Sequence, residues 1–201
     1  MMGLGDPGLS LDGQPLGQGL TEWKFECPSS CTKKHLGSKV KGQDTPARII
    51  VFAQLLHMHS AGKRMTTSQI RERRVVTEAY VDYYDYRAAG AVPVRQPIVP
   101  YEVVPGDSFS VSCFYEDPYN TTMYGKSFRD EMCISFLWYY PEIRTFLGTC
   151  GANNYLDPSC DGQFSSTSLP NKNAMGRIFG SKPNYCSAKN KEGSESETIL
   201  S

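Results

Sequence analysis

Two histidines one residue apart, His57 and His59, have the spacing that points most directly to chemistry in this sequence. They end an apolar run that begins at Ala47. If that run is a β-strand, residues two positions apart share one face, and the two imidazole rings converge on one point. Imidazole binds zinc, copper and other transition metals, so the pair predicts a metal site. The alternative is a structural pair, with one ring buried and hydrogen-bonded and the other exposed.

A metal at this pair needs further ligands. The remaining histidine, His35, lies in a lysine-rich stretch, and we expect it to be a solvated surface residue. Zinc hydrolases that use His-x-His need additional His, Asp or Cys ligands and a water, which the following residues 60–62 do not supply. Imidazole and thioether together suit copper, cycling through Cu(I). Met132 is the candidate thioether, although most methionines in strands fill core space.

Composition limits the classes of function. The length of 201 residues fits one domain, and Lys+Arg and Asp+Glu balance at 21 each, so nothing predicts binding to nucleic acid or to an acidic membrane. The longest apolar stretch, Ile49 to Leu56, is interrupted by Gln54 and is too short to span a bilayer.

Seven cysteines without a CxxC pair predict disulfides in an oxidising compartment, either outside the cell or in the secretory lumen. Asn120-Thr121-Thr122 is a glycosylation sequon, which agrees with that location. The first residues lack the basic and apolar pattern of a signal peptide. We therefore expect a fragment, or one domain of a longer protein, in which one cysteine has lost its partner.

Strand patterns dominate the chain, and no long segment has a helical period. Six strands are predicted: Ala47–His59, Met65–Arg71, Val75–Tyr80, Ile98–Val103, Ser108–Tyr115 and Glu131–Tyr140. The second and third strands flank the charged turn Glu72-Arg73-Arg74, as in a hairpin. The turn at Pro105-Gly106-Asp107 predicts that the fourth and fifth form another hairpin. Residues 1–22, rich in Gly and Pro, predict an irregular leader or interdomain linker, residues 23–188 the domain, and residues 189–201 a polar tail. The whole predicts an all-β sandwich.

Four short motifs follow one another along the chain: Leu-Leu-His-Met-His-Ser-Ala-Gly at 55–62, Val-Pro-Gly-Asp at 104–107, Glu-Met-Cys at 131–133 and Tyr-Tyr-Pro at 139–141. With these motifs, residues 1 to about 150 resemble the C-terminal domain of the copper type II, ascorbate-dependent monooxygenases. That family includes dopamine β-hydroxylase, its monooxygenase-like relatives and peptidylglycine α-hydroxylating monooxygenase. The resemblance implies an antiparallel jelly-roll β-sandwich with disulfides.

The resemblance also implies a site and a set of disulfides. His57, His59 and Met132 would bind the copper that activates O2, with ascorbate as the external reductant and a small molecule as substrate. The implied disulfides are Cys113–Cys133, Cys27–Cys150 and a bridge from Cys31 to either Cys186 or Cys160.

One departure from the family concerns the electrons. Family enzymes carry a second copper on three histidines in a preceding N-terminal domain, and the three histidines of this chain cannot supply that site once two of them are assigned. Inserting one oxygen atom into a C–H bond and reducing the other to water takes two external electrons, of which one copper stores one. The resemblance therefore implies the second half of a two-domain enzyme, with the N-terminal copper domain as its missing partner.

Another departure concerns the substrate. The peptide-amidating branch holds its peptide carboxylate with an arginine, an asparagine and a tyrosine, where this chain has Leu55, Ile134 and Phe136. Their loss favours the aromatic amine or orphan hydroxylases. Residues 82–85, Asp-Tyr-Tyr-Asp, could meet a cationic amine, or they could form a solvent-facing strand end.

Two other classes of function stay open from the sequence alone. A non-catalytic secreted β-sandwich binding module could keep the fold, and perhaps the metal, without the catalysis. A zinc hydrolase is the more distant alternative.

Overall fold

The computed structural model describes residues 1–6, 11–40, 42–88, 100–144, 148–152 and 157–169. Its thirteen strands are β1 Met2–Asp6, β2 Gly19–Cys27, β3 Lys39–Val40, β4 Gln43–Asp44, β5 Ile49–His57, β6 Gly62–Arg71, β7 Arg74–Val81, β8 Tyr101–Val103, β9 Ser108–Asp117, β10 Cys133–Tyr140, β11 Thr149–Ala152, β12 Asp161–Gly162 and β13 Phe164–Ser168. The helix α1 covers Ser29–His35, and 3-10 turns cover Tyr86–Ala88 and Pro158–Cys160.

The strands form two main sheets, which confirms the predicted all-β sandwich. The six-stranded sheet has the order β12-β11-β1-β10-β5-β8, and the five-stranded sheet has the order β13-β2-β9-β6-β7. The pairs β1–β11 and β11–β12 are parallel, and the other pairs in the two sheets are antiparallel. The jelly-roll connectivity stays a prediction. Among the described residues, no helix is long and apolar enough to cross a membrane.

The irregular leader predicted for residues 1–22 was wrong in its first residues. Met2–Asp6 is β1, which lies between β10 and β11 in the six-stranded sheet. A Cβ added to Gly151 of β11 would lie 2.0 Å from the Gly5 carbonyl oxygen. The two backbones therefore approach more closely than side chains would allow. The predicted polar tail, residues 189–201, lies outside the described residues.

One predicted hairpin is confirmed and the other was wrong. The strands β6 and β7 pair around Glu72 and Arg73, which have the positive φ angles of 51° and 65° that a two-residue hairpin turn favours. In contrast, β8 pairs with β5, whereas β9 pairs with β2 and β6. The Pro105–Asp107 turn therefore connects the two sheets. The buried Asp107 carboxylate fixes this corner by accepting hydrogen bonds from the Val104 N–H (2.9 Å) and from Arg71 (2.8 Å).

Disulfides join the two sheets at two places. Cys113 in β9 is bonded to Cys133 in β10, and Cys27 in β2 is bonded to Cys150 in β11. For Cys31, whose partner the sequence left open, the structure shows the disulfide to Cys160. The other expected partner, Cys186, was therefore wrong for Cys31, and Cys186 itself lies outside the described residues.

The expectation that His35 is a solvated surface residue was wrong. Its side chain is 1% exposed, and its Nε2 lies 2.6 Å from an oxygen of the buried Asp157 carboxylate. Helix α1 explains the error, because residues four apart lie on one face, so Cys31 and His35 are both buried while the intervening lysines 33 and 34 are exposed.

Candidate metal centre

The two histidines of the His-x-His pair lie side by side at the end of β5. His57 is the last residue of the strand, and the ring centroids of His57 and His59 are 5.0 Å apart, with the ring planes at 85°. His57 is half-buried and His59 is buried. The sequence spacing therefore brings two imidazoles together, as one shared metal ion requires.

The backbone between the histidines is held by Tyr84. Its hydroxyl donates to the Met58 carbonyl oxygen (2.6 Å) and accepts from the Met58 N–H (3.1 Å). The acidic and aromatic stretch at residues 82–85 therefore contributes a brace for the histidine pair. Its two carboxylates lie beside arginines: Asp82 is 3.4 Å from Arg64, and Asp85 is 3.0 Å from Arg87.

The protonation states favour metal binding. The Nδ1 of His59 lies 2.7 Å from the Asp130 carbonyl oxygen, which can only accept, so Nδ1 carries the proton and Nε2 is left as the ligand atom. Burial, with repulsion from His59, lowers the pKa of His57 and keeps that ring neutral. A neutral imidazole is the form that binds a metal.

Met132 lies just before β10 and just beyond the end of its ladder with β5. That ladder ends at the pair His57 and Ile134, and a continuation of the same register would place Met132 opposite His59. The Met132 carbonyl oxygen accepts a hydrogen bond from the hydroxyl of the buried Tyr115 (2.7 Å). The two residues before Met132, Asp130 and Glu131, are hydrogen-bonded to His59, so the segment that contains Met132 lies beside the histidine pair.

Glu131 is a further residue of the candidate centre, and no role was predicted for it from the sequence. Its carboxylate is 0% exposed and accepts hydrogen bonds from the backbone N–H groups of His59 (2.7 Å) and Ala61 (2.5 Å). Burial raises the pKa of Glu131 to about 7, although these hydrogen bonds oppose the shift. The available signal was its position directly before Met132 and the apolar run of β10, but the charged neighbours Arg129 and Asp130 suggested a solvated turn.

The sheet face beside His57 is apolar and aromatic. The ring of Phe136 is 6.3 Å from that of His57 and 6.5 Å from that of Trp138. Leu55 is the register partner of Phe136, and Ile134 is the partner of His57. The three positions that would carry the anion-binding residues of the amidating branch therefore lie together next to the histidines.

The donors predicted from the sequence would suit copper better than zinc or calcium. They are two imidazoles and the thioether of Met132, which is a soft ligand suited to Cu(I). The Glu131 carboxylate accepts backbone N–H groups at both of its oxygens. Two further groups of close ligand atoms, Cys27–Cys31–Cys150 and Cys31–His35–Cys160, consist mainly of sulfurs that are already in disulfides.

Comparison with known proteins identifies a family for this chain. A family model described as "Copper type II ascorbate-dependent monooxygenase, C-terminal domain" matches residues 14–157. DBH-like monooxygenase protein 1 of Mus musculus is 34% identical over 130 residues, which is 62% of this chain and 20% of that protein. Tyramine beta-hydroxylase of Caenorhabditis briggsae is 30% identical over 118 residues, which is 57% of this chain and 18% of that protein.

Dopamine beta-hydroxylase of Canis lupus familiaris is 29% identical over 134 residues, which is 66% of this chain and 19% of that protein. The chain therefore matches a fifth or less of the length of each of these three relatives.

Proposed function

Because the chain belongs to the copper type II ascorbate-dependent monooxygenase family, we propose that it is the half of such an enzyme that binds O2-activating copper and hydroxylates a C–H bond of a small molecule. The observation that carries this proposal is that His57 and His59 lie 5.0 Å apart between ring centroids, and that His59 is hydrogen-bonded to Asp130 and Glu131, directly before Met132. The family match over residues 14–157 supports the same conclusion.

Each residue of the proposed site has a chemical role. Bound copper would supply the one-electron change between Cu(I) and Cu(II) that reduction of O2 requires. His57 and His59 would hold the ion through neutral nitrogens, and Asp130 fixes the His59 tautomer through its carbonyl oxygen. Met132 would add a weak thioether ligand that favours Cu(I).

The electron balance requires a partner. Hydroxylation consumes O2, two electrons and two protons, and it produces the alcohol and water. One copper in this chain would store one of the two electrons. We propose that an N-terminal copper domain, reduced by ascorbate like the present site, supplies the other electron in the complete enzyme.

The substrate would be apolar or aromatic near the carbon that reacts. Leu55, Ile134 and Phe136 offer no group to bind a peptide carboxylate, so we infer that the chain does not serve peptide amidation. The relatives named for dopamine and tyramine hydroxylation support an aromatic amine as one substrate class. An aromatic ring could stack against Phe136 or Trp138.

The secretory lumen, or the space outside the cell, is the proposed location. Three disulfides among the described residues require an oxidising compartment. Asn120 of the sequon is exposed, as an acceptor of a glycan must be.

Copper titration tests the proposal. The protein should bind about one Cu(I) per chain, and Met132→Ile should weaken binding by about 10–100-fold, because it removes the soft ligand. Met123→Ile, at an exposed methionine of the same β9–β10 connection, is the matched control and should leave the affinity unchanged. Unchanged affinity in Met132→Ile would remove Met132 from the site.

A non-catalytic binding module is the second candidate, because this chain has too few histidines for the second copper site. The two candidates differ in turnover. Addition of ascorbate to the copper-loaded chain together with the N-terminal domain should drive O2 consumption that depends on an aromatic amine. Copper binding without such consumption, across a panel of apolar amines, would favour the module.

A further inference from the structure

We propose that Glu131 is a positioning residue that sets the distance between the histidine pair and the thioether of Met132, by holding the His59–Ala61 turn against the segment before β10. This inference rests on the proposed copper site. It assigns Glu131 no contact with the metal or the substrate.

The sheet alone does not fix this distance. The ladder between β5 and β10 ends at His57 and Ile134, so His59 and Met132 both lie beyond the last paired residues. Two segments that leave a sheet at the same end are free to separate unless another contact joins them. The Glu131 carboxylate makes that contact, 2.7 Å from the His59 nitrogen and 2.5 Å from the Ala61 nitrogen.

The carboxylate works as a two-sided clamp. Its two oxygens bind N–H groups on either side of Ser60, and the N–H groups of Gly62 and Met132 also stabilise its charge. The neighbouring Asp130 accepts from the His59 ring at 2.7 Å. Three consecutive residues therefore hold the His59 backbone, aim its ring and carry the sulfur, so one ligand cannot shift without the other.

Glu131 differs from most buried carboxylates in the groups that stabilise its charge. A buried carboxylate is costly, and a protein usually offsets the cost with an arginine or a lysine. Among the ion pairs of the described residues, none includes Glu131. Backbone N–H groups of the His59–Ala61 turn stabilise its charge instead. An apolar side chain at position 131 could not accept these hydrogen bonds.

The first experiment uses the wild-type protein without metal. The amide hydrogens of His59 and Ala61 lie outside the strands, yet the proposal requires that they exchange slowly with solvent, and that at least one of the two exchanges much faster in Glu131→Gln. Fast exchange of both amides in the wild-type protein would overturn the proposal. This measurement needs no copper, so its outcome is independent of the proposed function, and its wild-type part does not depend on whether the variant folds.

The second experiment measures the site itself. Cu(I) affinity and the copper–sulfur contribution to X-ray absorption should be compared in wild type, Glu131→Gln and Asp107→Asn. The amide of glutamine offers one acceptor oxygen and a donor where Glu131 has two acceptors, so one of the two backbone contacts is lost. We expect about 10–100-fold weaker Cu(I) binding and a reduced sulfur contribution.

Asp107→Asn is the matched control, because Asp107 is also 0% exposed and also accepts a backbone N–H, but at the other end of β9. It should lower stability and leave the copper–sulfur signal unchanged. An unchanged sulfur signal and affinity in Glu131→Gln would overturn the positioning role. Absence of bound copper in the wild-type protein would instead overturn the proposed function, and copper without a sulfur signal would exclude Met132.

Discussion

Two buried carboxylates brace connections between the sheets, and they are held in opposite ways. Asp107, between β8 and β9, is bonded to Arg71 as well as to a backbone N–H, whereas Glu131, between β9 and β10, is held by backbone N–H groups. Burial raises the pKa of Asp107, but the hydrogen bonds from Arg71, Val104 and Gln69 outweigh it and lower the net value. For Glu131 burial prevails, and the pKa rises to about 7.

The two corners, the β8–β9 connection at Asp107 and the β9–β10 connection at Glu131, therefore differ in what their carboxylates stabilise. A cation partner makes the Asp107 corner stable over a wide pH range, as a structural joint should be. The Glu131 corner gives up that stability and instead binds the turn that carries a proposed metal ligand.

Asp107→Ala should have the largest effect on stability. It leaves the Arg71 guanidinium and the Gln69 amide without their shared acceptor, and we expect the free energy of unfolding to fall by about 3 kcal/mol. Chemical denaturation at pH 7 measures this change. A loss of less than about 1 kcal/mol would mean that the pair behaves as a surface ion pair.

The two corners should respond to pH in opposite directions. The raised pKa of Glu131 means that its contribution to the stability of the metal-free protein is complete below 4.5 and is lost as the pH rises through about 7. Between pH 5 and 7 this amounts to about 2 kcal/mol. The lowered pKa of Asp107 means that its contribution is present above 3.8 and is lost at lower pH.

Denaturation curves at several pH values test this, with Glu131→Gln and Asp107→Asn as the matched pair. Glu131→Gln should remove the dependence between pH 5 and 7 and leave the acid loss, and Asp107→Asn should do the reverse. Identical pH profiles for wild type and Glu131→Gln would contradict the raised pKa.

Tyr84→Phe should have an intermediate effect. The hydroxyl of Tyr84 binds both backbone polar groups of Met58, so its removal leaves a buried N–H and a buried carbonyl unpaired and should cost about 1–2 kcal/mol. Cu(I) affinity should fall as well, because Met58 lies between the proposed ligands. Tyr83→Phe, at the exposed neighbour, is the control, and equal copper affinities in the two variants would count against a bracing role for Tyr84.

Asn120→Asp should have the smallest effect. Asn120 lies in the same β9–β10 connection as Glu131, but it is exposed and has a φ of 52°, which Asp tolerates nearly as well as Asn. We expect stability within about 0.5 kcal/mol of wild type. Secretion from a eukaryotic cell should show a glycan on the wild type that is absent from the variant, and equal electrophoretic mobility would exclude the modification.

Patterns within single segments of the sequence predicted the elements that depend mainly on neighbouring residues. The apolar run ending at His57 became β5, and the charged pair Glu72–Arg73 became the two-residue turn of a hairpin. The period of a strand predicted that His57 and His59 lie close together, although β5 ends at His57 and contacts with Asp130 and Glu131 hold His59. The resemblance to a known family supplied the disulfide Cys113–Cys133, which no local pattern could connect and which the structure shows. Its assignment of Met132 as a ligand stays a prediction.

Long-range contacts decided the parts that the sequence did not reveal. Strand β1 lacks β-branched and aromatic residues, and its place in the sheet depends on the close approach of Gly5 and Gly151, far apart in the chain. The Pro105–Asp107 turn has the composition of a hairpin, but pairing with β5 and β6 draws its two strands into different sheets. Glu131 was missed because its partners, His59 and Ala61, lie some 70 residues away.

The position of β1 has a practical consequence for anyone who produces this domain. Met2–Asp6 joins β10 to β11, and its last residue is the register partner of Cys133, next to the proposed sulfur ligand. A truncation that began after Asp6 would leave a gap in the middle of the six-stranded sheet. Recombinant versions should therefore keep these five residues. An N-terminal affinity tag should be separated from them by a flexible spacer.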